Sequence, residues 1–90
     1  MTPQKAKALI SFKKVRSLTG KIIEMLEADE YCINIMQQNL AASGLLRSAN
    51  EMLMEGHLNT CFKSAFETKN TKKQKQMTDE ILKVTKLFNK

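Results

Sequence analysis

The chain has 90 residues, 42% of them hydrophobic, with a single proline and three glycines. That length suits one small domain spanning residues 1–90 and excludes a large multidomain enzyme. A net charge of +6, from 15 Lys and Arg against 9 Asp and Glu, favours a polyanionic partner, either nucleic acid or an anionic membrane surface.

No run of 18 apolar residues occurs, so no membrane span is expected. The first apolar run is broken by Lys13, Lys14 and Arg16, unlike a secretory signal. The cytoplasm is therefore the expected compartment. There, two cysteines read as metal ligands or sensing thiols rather than as a structural disulfide.

Residues 3–28 are predicted to form a first helix, with Pro3 suited to its first turn and Thr2 to its cap. Leu9, Phe12, Val15, Leu18, Ile22, Met25 and Leu26 recur at helical spacing as an apolar stripe. Lys5, Lys7, Lys13, Lys14, Arg16 and Lys21 precede any acid, and Glu24, Glu27, Asp29 and Glu30 then follow together. A short turn near residues 28–30 predicts an antiparallel hairpin, with the acids from Asp29 onward at the favourable start of the next helix.

From Tyr31 to Phe66 there is no proline. Ile33, Met36, Leu40, Leu46, Leu53 and Leu58 recur at spacings that predict one long helix. Gly44 within it is a candidate close helix crossing, and Gly56 a candidate kink. Residues 67–76, ETKNTKKQKQ, are expected to be a loop or a weak helix start. The last helix is expected over about 77–88, where Met77, Ile81, Val84, Leu87 and Phe88 recur. The fold class is all-α: a helical hairpin plus a short third helix. So long a helix in so short a chain leaves apolar surface that favours an oligomer.

Both cysteines and the only histidine lie on the predicted long helix. His57 and Cys61 are four residues apart, which sets an imidazole and a thiol on one face about one turn apart. Cys32 lies 25 residues before His57, roughly 37 Å along a straight helix. It can reach the pair only from a second, antiparallel copy, whose two-fold symmetry then builds two equal sites. Two thiolates with one imidazole suit Cu(I) in a three-coordinate site, whereas zinc usually takes a fourth ligand. The plain alternative is two buried cysteines acting as small hydrophobes beside a surface histidine. Another is thiol chemistry between Cys32 and Cys61 across subunits. The methionines fall mostly on apolar helix faces and read as packing residues. No Gly-rich phosphate loop, Ser/His/Asp set or paired carboxylate is present, so no enzyme is expected.

The segments YCINI and EGHLNTC, with Cys32, His57 and Cys61 at their spacing, resemble the copper-sensitive operon repressors. That family sits in a wider group of small helical sensors of nickel or cobalt, formaldehyde and persulfide. The resemblance runs from about Phe12 to Phe88. It implies all-helical dimers that pair into tetramers, with a four-helix-bundle-like dimer. It also implies binding to operator double-stranded DNA without a helix-turn-helix, and release when the inducer binds. Residue by residue, Cys32 matches the cross-subunit thiolate, His57 and Cys61 match the pair from the other protomer, and Tyr31 matches a residue that supports the site. Cys61 points to copper, and His57 separates the chain from the persulfide sensors. Where many members read R-I-E-G-Q, this chain has Ser17, Leu18, Thr19, Gly20 and Lys21. Lys13, Lys14, Arg16, Lys21 and Arg47 are the candidate DNA contacts. Copper-responsive members also carry a coupling glutamate on the third helix. Here no acid stands between Thr68 and Thr78, and Asp79 and Glu80 follow.

The expected function is a Cu(I)-responsive transcriptional repressor acting as a homo-oligomer with an inter-subunit metal site. The alternatives are a persulfide- or electrophile-sensing repressor using Cys32 and Cys61, and a copper-binding protein with no DNA role.

Overall fold

A computed structural model describes residues 1–89, all of the described secondary structure being helical. Helix α1 spans Pro3–Glu27 and α2 spans Cys32–His57. A π-helical turn follows over Leu58–Phe62, then a short α3, Lys63–Glu67, and α4, Thr71–Phe88. The chain divides into two compact units, Met1–Gly56 and a second that begins at His57.

Local chemistry sets the ends of α1. Thr2 caps it as expected, its Oγ1 accepting from the Lys5 N–H at 3.2 Å. At the other end the Asp29 N–H donates to the Leu26 carbonyl and the Glu30 N–H to the Met25 carbonyl, both at 3.0 Å. This pair of bonds satisfies the last carbonyls and turns the chain sharply. It places Asp29 in left-handed backbone at φ 53°. The acids therefore sit in the turn rather than in the first turn of α2, which holds none.

The first unit is a hairpin of α1 and α2, and its packed faces differ from the stripes that the large residues suggest. On α1 the covered row runs Gln4, Ala8, Ser11, Val15, Leu18, Ile22, Met25; on α2 it runs Ile35, Gln38, Ala42, Leu45, Ala49, Met52, Gly56. Both rows step by three and four residues, and they match position for position when the helices are antiparallel. At the end of the register a Cβ on Gly56 would stand 3.0 Å from Gln4 Cβ, so only glycine fits this approach without displacement. The most buried positions are small: Ala8, Ser11, Ala42 and Ala49. Leu9, Phe12 and Leu26, read from sequence as part of the buried stripe, are exposed; so are Ile33, Met36, Leu40, Leu46, Leu53 and Leu58. Helix backbones approach closely where side chains are small, and the larger residues are left on the outer faces. A Cβ on Gly44 would meet nothing within 4 Å, so this glycine marks no crossing within the described residues.

In the second unit, α3 packs against the π-turn and against α4. The Phe62 and Phe66 rings lie 4.6 Å apart, tilted by 35°. Of the loop or weak helix start expected over 67–76, the helix start is what forms, from Thr71 onward. Only residues 68–70 connect, and Asn70 caps α4 by accepting from the Lys73 N–H at 3.1 Å. A side-chain cap supplies the start signal that the lysine-rich composition obscures.

Ala49 is wholly buried, so Ala49→Leu should destabilise the protein by about 1–3 kcal/mol through overpacking. Gly44→Ala should stabilise it by up to about 1 kcal/mol through helix propensity. Urea unfolding at fixed protein concentration measures both.

Candidate metal centre

Cys32 is the first residue of α2 and His57 the last. The Tyr31 carbonyl accepts from the Asn34 N–H at 3.0 Å and the Ile35 N–H at 3.4 Å, so Tyr31 fixes the start of the helix at Cys32 through its backbone. Its ring is exposed. Both thiols are free and exposed, which removes the alternative of two buried cysteines acting as hydrophobes. His57 is half-buried.

The 26 residues of α2 run without interruption. They separate its first and last residues by about seven turns and about 37 Å. Nearly whole turns return Cys32 and His57 to the same side of the helix. Met36, Leu46 and Leu53 share that side, and all three are exposed. That side also holds the polar Asn39, Ser43 and Asn50, and it carries a thiol at one end and an imidazole at the other.

Cys61 lies in the π-turn. There the Lys63 N–H donates to the Leu58 carbonyl, the five-residue step of a π-helix, a feature that often accompanies functional sites. The Thr60 hydroxyl contacts the Cys61 Sγ at 3.7 Å. A groove of about 450 Å³ lies beside it, lined by Cys61, Ser64, Ala65, Thr68, Asn70, Lys73 and Met77. Sequence reasoning missed this lining. The Asn70–Lys73 capping pair was the available signal, because it starts α4 early enough to bring Lys73 alongside Cys61.

Among the described residues no three His, Cys, Asp or Glu side chains gather closely enough to hold a metal ion. Within one chain Cys32 stands at the far end of α2 from His57, and Cys61 lies in the π-turn that follows. The donor types are two soft thiols and one imidazole, all at least partly accessible, and they fit Cu(I).

Lys13, Lys14 and Lys21 rim a second groove, of about 550 Å³, whose other lining residues are Ile10, Ser17, Leu18 and Leu45. Arg16 and Arg47 are exposed on α1 and α2.

Residues 4–87 match the metal-sensitive transcriptional repressor family. The chain belongs to that family. It is a family of repressors, not of enzymes. The copper-sensing transcriptional repressor CsoR of Mycobacterium tuberculosis is 40% identical to this chain over 65 residues, covering 72% of the chain and 55% of that protein. The CsoR of Mycobacterium ulcerans is 40% identical over the same length, covering 56% of that protein. The copper-sensing repressor RicR of Mycobacterium tuberculosis is 36% identical over 52 residues. The chain spans about half the length of these curated relatives. Among the described residues no helix is long and apolar enough to cross a membrane.

Reduced protein treated with iodoacetamide without denaturant should be alkylated at both Cys32 and Cys61. One equivalent of Cu(I) per chain should protect both thiols, as read by mass spectrometry of the intact chain.

Proposed function

We propose that this chain is a cytoplasmic Cu(I)-responsive transcriptional repressor. Residues 1–90 form one metal-sensing, DNA-binding domain that works as a homo-oligomer. The reading rests above all on the outward face of α2. Cys32 and His57 end the same side of α2, so a second copy laid antiparallel across it brings each Cys32 to the partner's His57 and Cys61. The exposed Met36, Leu46 and Leu53 supply apolar surface for that contact, and a two-fold arrangement makes two equal sites. Pairing two such dimers gives the tetramer that the family resemblance implies.

The Cys32 and Cys61 thiolates and the His57 imidazole would hold Cu(I). The metal would supply a tie between two chains otherwise held by packing along α2. The chain's own residues do the remaining work. Tyr31 sets the start of α2 and hence the height of Cys32. The π-turn sets where Cys61 stands relative to His57. Lys13, Lys14, Arg16, Lys21 and Arg47 engage phosphates of operator double-stranded DNA. The metal tie favours an arrangement with weaker DNA affinity, and linkage requires DNA to weaken copper binding by the same factor. His57 favours a metal over persulfide as inducer, since sulfur bridging between Cys32 and Cys61 needs no imidazole.

Two variants test the cross-subunit site together. Cys32→Ala and Cys61→Ala should each lose high-affinity Cu(I) binding and copper-dependent release of DNA. When the two variant proteins are mixed and allowed to exchange subunits, each mixed dimer regains one intact site. About a quarter of all sites should then recover. An intra-chain site would recover none.

Leu46 lies near the middle of the proposed pairing, where it meets its own symmetry mate. Leu46→Asp should therefore shift the protein toward monomer, and analytical ultracentrifugation would read the change. A variant that keeps its oligomeric state would exclude this face as the interface.

The copper-buffer alternative predicts no DNA binding at low salt. Anaerobic titration with Cu(I) in the presence of a fluorescent operator candidate separates it from the repressor.

A further inference from the structure

The connection from α3 to α4 and the first turns of α4 carry Lys69, Lys72, Lys73 and Lys75, with no acid between Thr68 and Thr78. All four lysines are exposed, and among the described residues the ion pair formed is elsewhere, between Lys63 and Glu67. Because residues 71–76 are helix rather than loop, Lys72 and Lys75 stand one turn apart as neighbours on one face. Lys69 adopts left-handed backbone at φ 56°, where glycine has no steric penalty and a long side chain does. The chain thus carries dense positive charge here, including at a position unfavourable for lysine.

We infer that this lysine cluster is a second DNA-backbone surface, separate from the basic groove of α1. The inference rests on the repressor reading and adds to it a contact element. Lys72 and Lys75 are about 4.5 Å apart along the helix axis, comparable to the axial step of about 3.4 Å between successive phosphates on one strand. Lysine ammonium groups suit such contacts as point charges, and they position a protein on DNA without reading bases. A lipid surface fits less well. Membrane-surface helices present an apolar face beside their charges, whereas the surface around Lys72 and Lys75 is formed by Thr71, Gln76, Asp79, Glu80 and Lys83. The apolar Met77 and Ile81 of the same helix are half-buried, and its exposed apolar residues, Leu82, Val84, Leu87 and Phe88, lie toward the far end from Lys72 and Lys75.

The test compares two charge-matched double variants of the full chain, Lys72→Gln/Lys75→Gln and Lys63→Gln/Lys86→Gln, on a random-sequence DNA duplex. Glutamine retains helix propensity close to that of lysine, and circular dichroism checks that each variant folds. The log of the binding constant is followed against the log of salt concentration. The first variant should lose about 2 units of slope, at about 0.9 per phosphate contact. The second, whose lysines lie outside the surface around Lys72 and Lys75, Lys63 being paired with Glu67, should keep the parental slope. Equal losses in both variants, or none in either, would overturn the proposal while leaving the repressor reading intact. A parent protein that binds phosphatidylglycerol vesicles but no DNA at low salt would overturn both.

Discussion

The close approach of α1 and α2 governs what the rest of the molecule can do. It is made by small residues: Ala8 and Ser11 on one helix, and Ala42, Ala49 and Gly56 on the other. Small side chains let the helix axes come together, and they bury little apolar area for each residue ordered. The large side chains that a hairpin core would normally absorb are displaced to the outer faces. A monomer built in this way keeps apolar surface in water, and association with another copy is the direct means of removing it.

That constraint sets where the candidate ligands on α2 stand. A rigid rod separates Cys32 from His57 and also returns them to one side. The same property keeps Cys32 from reaching His57 along one helix, and under the proposed pairing it would let two antiparallel chains close two sites. In this scheme association and metal capture use one surface, so apolar packing and soft-ligand coordination are coupled by geometry. The short connection after α3 extends the arrangement. Asn70 starts α4 directly after that connection and sets Lys73 in the lining of the Cys61 groove. The Cys61 thiol and the densest positive charge of the second unit are thereby held in one small structure.

The sequence already carried much of this. Pro3 and Thr2 placed the start of α1, and the turn at residues 28–30 with its run of acids placed the hairpin. The spacing of Cys32, His57 and Cys61 determined that a single straight helix could not join all three. These features are local or follow from helix geometry alone, and so they can be read from residue order. Soft ligand chemistry likewise depends on residue type before it depends on position.

Tertiary structure decided which faces are covered. Large apolar residues at helical spacing identify a helix but not the side it buries, because packing density against a neighbour depends on both surfaces. Only the pairing of α1 with α2 made the Ala, Ser and Gly row the inner one and left Met36, Leu46 and Leu53 outside. The π-turn around Cys61 and the early start of α4 also depend on the folded chain. Five-residue hydrogen bonding and side-chain capping bring little composition signal of their own, and a lysine-rich tract reads as loop until Asn70 and α3 hold it in place. Sequence determined the ligands and the helices; packing determined the faces on which they can meet.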